Sequence, residues 1–279
     1  MHEGTPHTHH PADGSLWEMQ ILLPALALSA CAVGYVVLAH RARRRNPVRA
    51  LSPWRGVGFL TGLALLSVAL LPPVASLAHS DFRGHMAQHM LIGMYAPLAL
   101  VLGAPVTLLL RALPAPGARR LTALLHSRPA RFLAHPAVAL LLSTGSLAPL
   151  YFTPLLTVAM AHPAGHRLLL AHFLLSGCLF AHAIAGPDPA PRRLGVRARL
   201  IFLGCAIAAH SVMAQLMYGG FWVDVHAPVP EVQGGAEIMY YGGDIAELLL
   251  AAALVATWRP ERRARTAVPA SASCGPARA

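Results

Sequence analysis

Seven hydrophobic segments, each about 20 residues long, dominate this sequence and restrict it to a membrane fold. They lie at 17–39, 55–78, 84–110, 135–158, 166–185, 197–219 and 236–258. A helix of about 20 apolar residues crosses the ~30 Å hydrocarbon core of a bilayer. Charged residues make up 12% of the chain, whereas soluble domains carry about 25%. We therefore predict an all-α protein whose residues 17–258 form a bundle of seven transmembrane helices.

The arginine positions predict how this bundle is oriented. All 22 basic residues are arginines, and only Arg83 and Arg167 lie on one side of the predicted bundle. The others lie in or beside the first, third and fifth loops and after the last segment. Because arginine-rich loops stay in the cytoplasm, we predict an external N-terminus and a cytoplasmic C-terminus. Residues 1–16 are then a histidine-rich external tail, and residues 259–279 a disordered cytoplasmic tail.

Composition excludes several classes of function. The chain has no lysine, which excludes a retinal protein or any other mechanism that needs a Schiff base. Three of its four cysteines lie within apolar segments, so no disulfide framework is expected. The net charge of +11 reflects the arginine-rich loops, and we expect no nucleic-acid partner. Neither a zinc-hydrolase motif nor a phosphate-binding glycine loop is present, and we predict that the protein is not an enzyme.

The third segment begins with a stripe of histidines and methionines. Read as a helix, it places His85 on the face of His89, and Met86 on the face of Met90 and Met94, because residues four apart share a face. Imidazole and thioether ligands favour copper, especially Cu(I), over zinc or calcium. Packing is the alternative for the methionines, which often fill gaps in helix cores.

Further polar groups fall within the predicted hydrocarbon depth of other segments. Asp244 and Glu247 lie three residues apart on the last segment, and no arginine within another span would neutralise them. They are expected to be protonated, to pair with a histidine such as His210 or with a metal, or to line a wet cavity. The complete predicted metal site is His85, Met86, His89, Met90, Met94, His172, His210, Met213, Met217, Asp244 and Glu247.

Three local features carry structural predictions. Pro97 and Pro105 lie inside the third segment and should kink or unwind it. Asp188, in a Gly-Pro-Asp-Pro turn, is expected to cap a helix or form an ion pair. The loop at 113–135 contains Leu121, Leu124 and Leu125 with helical spacing, which suggests a short interfacial helix.

Several stretches between residues 55 and 258 match a known family in order. They are HMAQHM (85–90), APLALVLGAPVTL (96–108), YFTPL (151–155), HFLLSG (172–177) with GPDP (186–189), and QGGAEIM (233–239). Together they resemble the CtaG family of cytochrome c oxidase assembly factors. His85, His89 and His172 occupy matching motif positions. The chain departs from many members at Ala148, where they have a histidine before the proline of segment four, and at 231–233, where they read Asp-Gln-Gln.

The resemblance implies a multi-pass protein of the bacterial plasma membrane that matures the copper-containing core of haem–copper oxidases. It implies oxidase subunits and periplasmic copper chaperones as partners, beside the lipid bilayer, with copper bound or delivered at the outer face. Two other functions stay open on the residues alone. Histidines on separate membrane helices are also the usual axial ligands of b-type haem. Asp244 and Glu247 could instead serve a proton- or metal-coupled transporter.

Overall fold

A computed structural model describes residues 11–45, 47, 51–190 and 193–258, in which helices are the only regular secondary structure. The first ten residues of the predicted external tail and the whole of the predicted tail at 259–279 lie outside this part. We number the helices α1 Pro11–Arg45, α2 Pro53–Leu70, α3 Val74–Ser80, α4 Phe82–Leu102, α5 Pro105–Ala112, α6 Ala115–Leu125, α7 Arg128–Leu133, α8 Pro136–Phe152, α9 Leu155–Met160, α10 Pro163–Ala185, α11 Val196–Tyr218 and α12 Val229–Thr257.

Six of the described helices are long and apolar enough to cross a membrane, namely α1 (over Ile21–Arg45), α2, α4, α10, α11 and α12. The prediction of an all-α, multi-span membrane protein is therefore confirmed. The fourth predicted segment, 135–158, differs from the expectation of one spanning helix. It is divided into α8 and α9 because Thr153 is extended and Pro154, which has no backbone N–H, follows it. The helix α8 is too short to count among the six.

The helix α4 lies at the centre of the bundle and contacts α2, α3, α10 and α12. In its apolar stretch 56% of the residues are buried, against 6% for α1 at the periphery. Glycines allow this close packing. A Cβ atom at Gly62 of α2 would lie 2.8 Å from the backbone nitrogen of Leu100, and one at Gly177 of α10 would overlap the Gly93 carbonyl oxygen. Neither position therefore has room for a side chain.

Prolines divide the third predicted segment, as expected, but the division goes further than a kink. Helix α4 widens into a π-helical turn at Leu91–Tyr95 and ends at Leu102. Ala104 then adopts the left-handed conformation with φ of 52°, and α5 starts at Pro105. The predicted kink or unwinding of segment 84–110 is thereby confirmed, because Pro105 cannot donate the backbone hydrogen bond that would continue α4.

The second predicted segment, 55–78, is likewise interrupted. Helix α2 ends at Leu70 and α3 begins at Val74, with two consecutive prolines, Pro72 and Pro73, between them. Because neither proline has a backbone N–H, the first helix cannot continue through them. The short α3 then packs against the start of α4.

The same local rule produces both π-helical turns. Pro97 lies four residues after Gly93 in the turn of α4, and Pro149 lies four residues after Gly145 in the turn Leu141–Gly145 of α8. A proline ring clashes with the carbonyl group four residues earlier and gives it no hydrogen bond. One wider turn relieves the clash, and single π turns of this kind occur frequently at functional sites.

The predicted capping role of Asp188 is confirmed. Its carboxylate accepts hydrogen bonds from the backbone N–H of Val106 (3.1 Å) and of Thr107 (2.8 Å), and from the Thr107 hydroxyl (2.5 Å). These groups belong to the first turn of α5, where backbone donors lack partners within the helix. Asp188 is itself buried, so it anchors the restart after the break at Ala104 to the end of α10.

Candidate functional site

The start of α4 is held by two carboxylates. Asp81 accepts a hydrogen bond from the backbone N–H of Arg83 (2.7 Å), and the Arg83 guanidinium contacts both of its carboxylate oxygens. These hydrogen bonds hold the pKa of Asp81 below its usual value. Glu231 of α12 accepts a bond from the backbone N–H of Phe82 at 3.1 Å. The first turn of α4 is thereby fixed against α12, which sets the direction of the side chains that follow.

His85 and Met86 both face Tyr151 of α8. The Tyr151 hydroxyl lies 3.5 Å from Nε2 of His85 and 4.0 Å from Sδ of Met86. The three side chains are buried, and Met86 and Tyr151 are 0% exposed. An imidazole nitrogen and a thioether sulfur are thus brought around one phenol oxygen, a combination of one borderline and one soft donor.

His89 lies one turn further along α4 and has no polar partner. Its ring lies 4.3 Å from that of Phe173 and 6.4 Å from that of Tyr151, measured between centroids, and meets both edge-on. Neither ring nitrogen has a hydrogen-bond partner among the described residues, although the side chain is only 4% exposed. An unpaired buried polar group costs about 1–3 kcal/mol. The two nitrogens are therefore available to a ligand.

A cavity of about 50 Å³ opens below His89, between the helices. Its wall is mostly apolar, and its polar side chains come from five helices: His89, Ser143, Thr144, Ser176, His210 and Glu247. At roughly 10–15 Å³ of such space per water, it has room for about three to five water molecules. The cavity lies where the two main apolar clusters of the bundle meet, since Phe173 belongs to one and Phe180 to the other.

His210 and Glu247 form a buried pair at the far side of the cavity. Nδ1 of His210 lies 3.5 Å from Oε1 of Glu247, and both side chains are almost fully buried. The remaining polar atoms, Nε2 of His210 and Oε2 of Glu247, have no hydrogen-bond partner in the described part of the chain. Gly243, one turn before Glu247, leaves space for the histidine ring, because a Cβ there would lie 2.7 Å from its Cε1. The predicted pairing of Glu247 with His210 is thus present.

The predicted methionines lie in different surroundings. Met94 lines the cavity, whereas Met90 is buried beside Gly242 of α12. Met213 and Met217 of α11 lie within the apolar cluster that also contains Met86. Met90, Met213 and Met217 are thus buried, as Met86 is.

His172 and Asp244 are separate from this arrangement. His172 is half-buried and its Nε2 lies 2.9 Å from the Ser146 hydroxyl of α8, away from the cavity wall. Asp244 is half-buried and does not line the cavity that Glu247 lines. The eleven predicted residues therefore do not converge on one point. They form an outer pair at His85 and Met86, an inner pair at His210 and Glu247, and His89 between the two.

No three histidine, cysteine, aspartate or glutamate side chains are grouped to hold a metal ion within residues 21–45, 51–190 and 193–258. A sulfur group does lie beside His85, since the Met86 thioether contacts the same Tyr151 hydroxyl.

Two residues of the site were missed by the sequence-based prediction. Tyr151 belongs to a matching motif, but nothing in the sequence indicates that its hydroxyl reaches His85. Gln88 lies inside the histidine–methionine stripe and is buried; its Nε2 donates to the Ala69 carbonyl of α2 at 2.8 Å, while its Oε1 has no partner in the described part of the chain. The signal for Gln88 was its depth, because a buried amide in a membrane helix needs partners.

Comparison with curated proteins identifies relatives in mycobacteria. An uncharacterized protein of Mycobacterium bovis and one of Mycobacterium tuberculosis are each 35% identical over 272 residues, which cover 89% of this chain. A Mycobacterium leprae protein is 35% identical over 267 residues, or 88% of this chain. The chain spans 40% of the length of these relatives. No solved structure matches it.

The family described as cytochrome c oxidase caa3 assembly factor (Caa3_CtaG) matches residues 33–261. This range includes every helix from α2 to α12 and all of the polar side chains around the cavity. The resemblance carried by the motifs of α4, α8, α10 and α12 is thereby confirmed. The chain belongs to the Caa3_CtaG family of cytochrome c oxidase assembly factors.

Proposed function

We propose that this protein assists the assembly of a haem–copper oxidase by binding Cu(I) at the start of α4 and passing it on. The observation that carries the proposal is the convergence of His85 Nε2 and Met86 Sδ around the Tyr151 hydroxyl, with the unpartnered His89 one turn away. Thioether and imidazole donors select Cu(I). A closed cage of three or more nitrogen and oxygen ligands would retain a metal, whereas two or three mixed donors allow it to leave.

The side chains divide the work between them. His85 and Met86 supply the first nitrogen and sulfur donors, and Tyr151 holds them in place through its hydroxyl. His89 supplies the next donor along the helix, and its packing between the rings of Tyr151 and Phe173 fixes its orientation. The cavity with His210 and Glu247 lies beyond it and gives the unpartnered atoms access to water.

The proposed topology has seven spans, with the N-terminus outside and the C-terminus in the cytoplasm of a bacterial plasma membrane. It is supported by the distribution of arginines, of which only Arg83 and Arg167 lie on the proposed outer side. The start of α4 would then face the side from which periplasmic copper chaperones arrive. The oxidase subunits that receive the copper would dock on the same face.

A copper transporter is the second candidate, because polar groups continue from His85 through His89 and the cavity to His210 and Glu247. Such a line of polar residues across a membrane bundle marks substrate or proton pathways. A haem protein is less well supported. Sites for organic ligands of drug size occupy roughly 300–1,000 Å³, whereas the cavity between the histidines measures about 50 Å³.

The test is the copper content of the purified protein under reducing conditions, for the natural chain and for the variant His85→Ala/Met86→Leu. We expect the variant to lose bound Cu(I). Met160→Leu is the control, since Met160 also packs against this apolar cluster but belongs to α9. Unchanged copper content in the double variant, or a strong Soret band in the natural protein, would overturn the proposal. Copper uptake into proteoliposomes would favour the transporter.

A further inference from the structure

A second cavity lies at the arginine-rich end of the bundle, and none of its residues belongs to the α4 site. It is an open groove of about 580 Å³ between α7, the start of α8 and the loop before α11. Its wall includes Arg128, Arg131, Phe132, His135, Val138 and Leu194. The volume is within the roughly 300–1,000 Å³ range of sites for organic ligands.

The groove has positive charge that no described acidic side chain neutralises. Arg128 and Arg131 are exposed, and neither guanidinium group has a hydrogen-bond or ion-pair partner among the described residues. The sequence has no aspartate or glutamate from residue 82 to residue 187. Asp188, the next acid along the chain, is buried with its carboxylate bonded to Val106 and Thr107 of α5. The part of the chain that the structure describes therefore supplies no counter-charge to the groove.

His135 adds a hydrogen-bond donor to the same wall. Its Nδ1 accepts a bond from the backbone N–H of Ala137 at 3.2 Å. In a neutral imidazole the hydrogen is then on Nε2, which is left as a donor. Two guanidinium groups and one imidazole N–H suit the oxygens of a phosphate, which arginine binds in a bidentate manner.

Apolar side chains adjoin these donors. Phe132 lines the groove and is 65% exposed, and Leu133 beside it is 40% exposed. Val138 and Leu194 supply further apolar wall. A ligand that satisfies the whole groove has a phosphate next to hydrocarbon. Basic pockets between membrane helices on the cytoplasmic side bind such headgroups.

We propose that this groove binds an anionic phospholipid, with its phosphate on Arg128, Arg131 and His135 and its acyl chains along Phe132. The proposal commits to a lipid because α7 joins directly to the membrane helix α8 and presents its apolar side chains beside the arginines. It is independent of copper, since the groove shares no residue with the cavity beside His89 or with the His85–Met86 site.

The test is the binding of a fluorescent phosphatidylglycerol to the purified full-length chain in detergent. A surface arginine contributes about 1 kcal/mol to binding of anionic lipid, or about fivefold in Kd. We therefore expect Arg128→Gln/Arg131→Gln to weaken binding about 30-fold. Arg119→Gln/Arg120→Gln is the control, because it removes the same charge from α6 without touching the groove, and it should bind like the natural chain.

Competition identifies the ligand. Unlabelled phosphatidylglycerol should displace the probe, whereas phosphatidylcholine and inorganic phosphate at the same concentration should not. If the α6 control loses as much affinity as the groove variant, binding is due to diffuse electrostatic attraction and the groove proposal is wrong. If inorganic phosphate displaces the probe, the groove is a site for free anions rather than for lipid. If phosphatidylcholine displaces it, the arginines do not select an anionic headgroup. Thermal unfolding of each variant without lipid checks that it is folded.

Discussion

The Tyr151 hydroxyl lies 3.5 Å from Nε2 of His85, although 66 residues separate the two along the chain. The contact joins α8 to the start of α4 and places Met86 on the same oxygen. Three buried groups with metal-binding or hydrogen-bonding capacity therefore share one position in an otherwise apolar cluster. The phenol keeps the nitrogen and sulfur from turning into the surrounding core.

Replacing Tyr151 by phenylalanine tests this positioning role. The change removes one hydroxyl and keeps the ring, so the cost in unfolding free energy should be about 0.5–1.5 kcal/mol. Loss of a group that orients a metal ligand typically weakens binding about 10- to 100-fold, and we expect that loss in a Cu(I) competition titration. Tyr35→Phe is the control, because the Tyr35 hydroxyl also makes one buried hydrogen bond, to the Gly103 carbonyl (2.9 Å). If both variants weaken copper binding equally, the positioning role is wrong.

Replacing His89 by leucine should separate stability from function. The imidazole nitrogens have no partners in the described part of the chain, so an apolar side chain of similar size removes an unpaired buried group and should raise stability by about 1–3 kcal/mol. Copper binding or transfer should fall at the same time. His172→Leu should instead lower stability, because it breaks the contact with the Ser146 hydroxyl. A clear loss of stability in His89→Leu would mean that the histidine has a structural partner.

The His210–Glu247 pair predicts a strongly non-additive double-mutant cycle. Removing one member of a buried pair costs about 3–5 kcal/mol, whereas replacing both by apolar residues is often neutral. We expect His210→Leu and Glu247→Leu to be destabilised singly, and the double variant to recover. Unfolding in detergent, followed by circular dichroism, measures all four corners of the cycle. Asp244 is half-buried and lies outside the cavity, so Asp244→Leu is the control and should show no coupling to His210. If the costs of His210→Leu and Glu247→Leu simply add in the double variant, the two side chains do not interact.

Gly177→Ala tests the contact between α10 and α4. The new methyl group would overlap the Gly93 carbonyl oxygen, and such overpacking typically costs about 1–3 kcal/mol. Gly204→Ala in α11 is the matched control, since a Cβ there has no atom within 4 Å, and it should gain up to about 1 kcal/mol from helix propensity. Thermal unfolding of the two variants should therefore move in opposite directions. An unfolding temperature for Gly177→Ala at or above that of the natural chain would indicate that α10 and α4 can separate without cost.

The all-α class and the approximate positions of most membrane helices could be predicted from the sequence, because a membrane helix needs an apolar run of about 20 residues. The interruption after Leu102 and the cap at Asp188 were also predictable, since proline and aspartate act on their immediate neighbours. The division of 135–158 into two helices was not expected, because the apolar run continues through Thr153 and Pro154. The prediction for that segment followed its hydropathy and did not take account of the local break at Thr153 and Pro154.

The site was less predictable than the fold. Helical spacing correctly gave the i, i+4 relation of His85 and His89, but it does not say which neighbouring helix faces them. Tyr151 therefore escaped prediction. The assignment of Met213 and Met217 to a metal site stays a prediction, since both lie in the apolar cluster that also contains Met86. The pair of Glu247 and His210 could be anticipated because a buried carboxylate needs a partner wherever the helices bring one.

The π-helical turn at Leu91–Tyr95 makes the number of residues in α4 more important than which apolar residues they are. A π turn holds one residue more than an α turn. Deleting any single residue of this turn would close it to an α turn, in which the ring of Pro97 clashes again with a carbonyl group of the preceding turn. The segment should therefore tolerate many exchanges of one apolar residue for another, yet no change in their number.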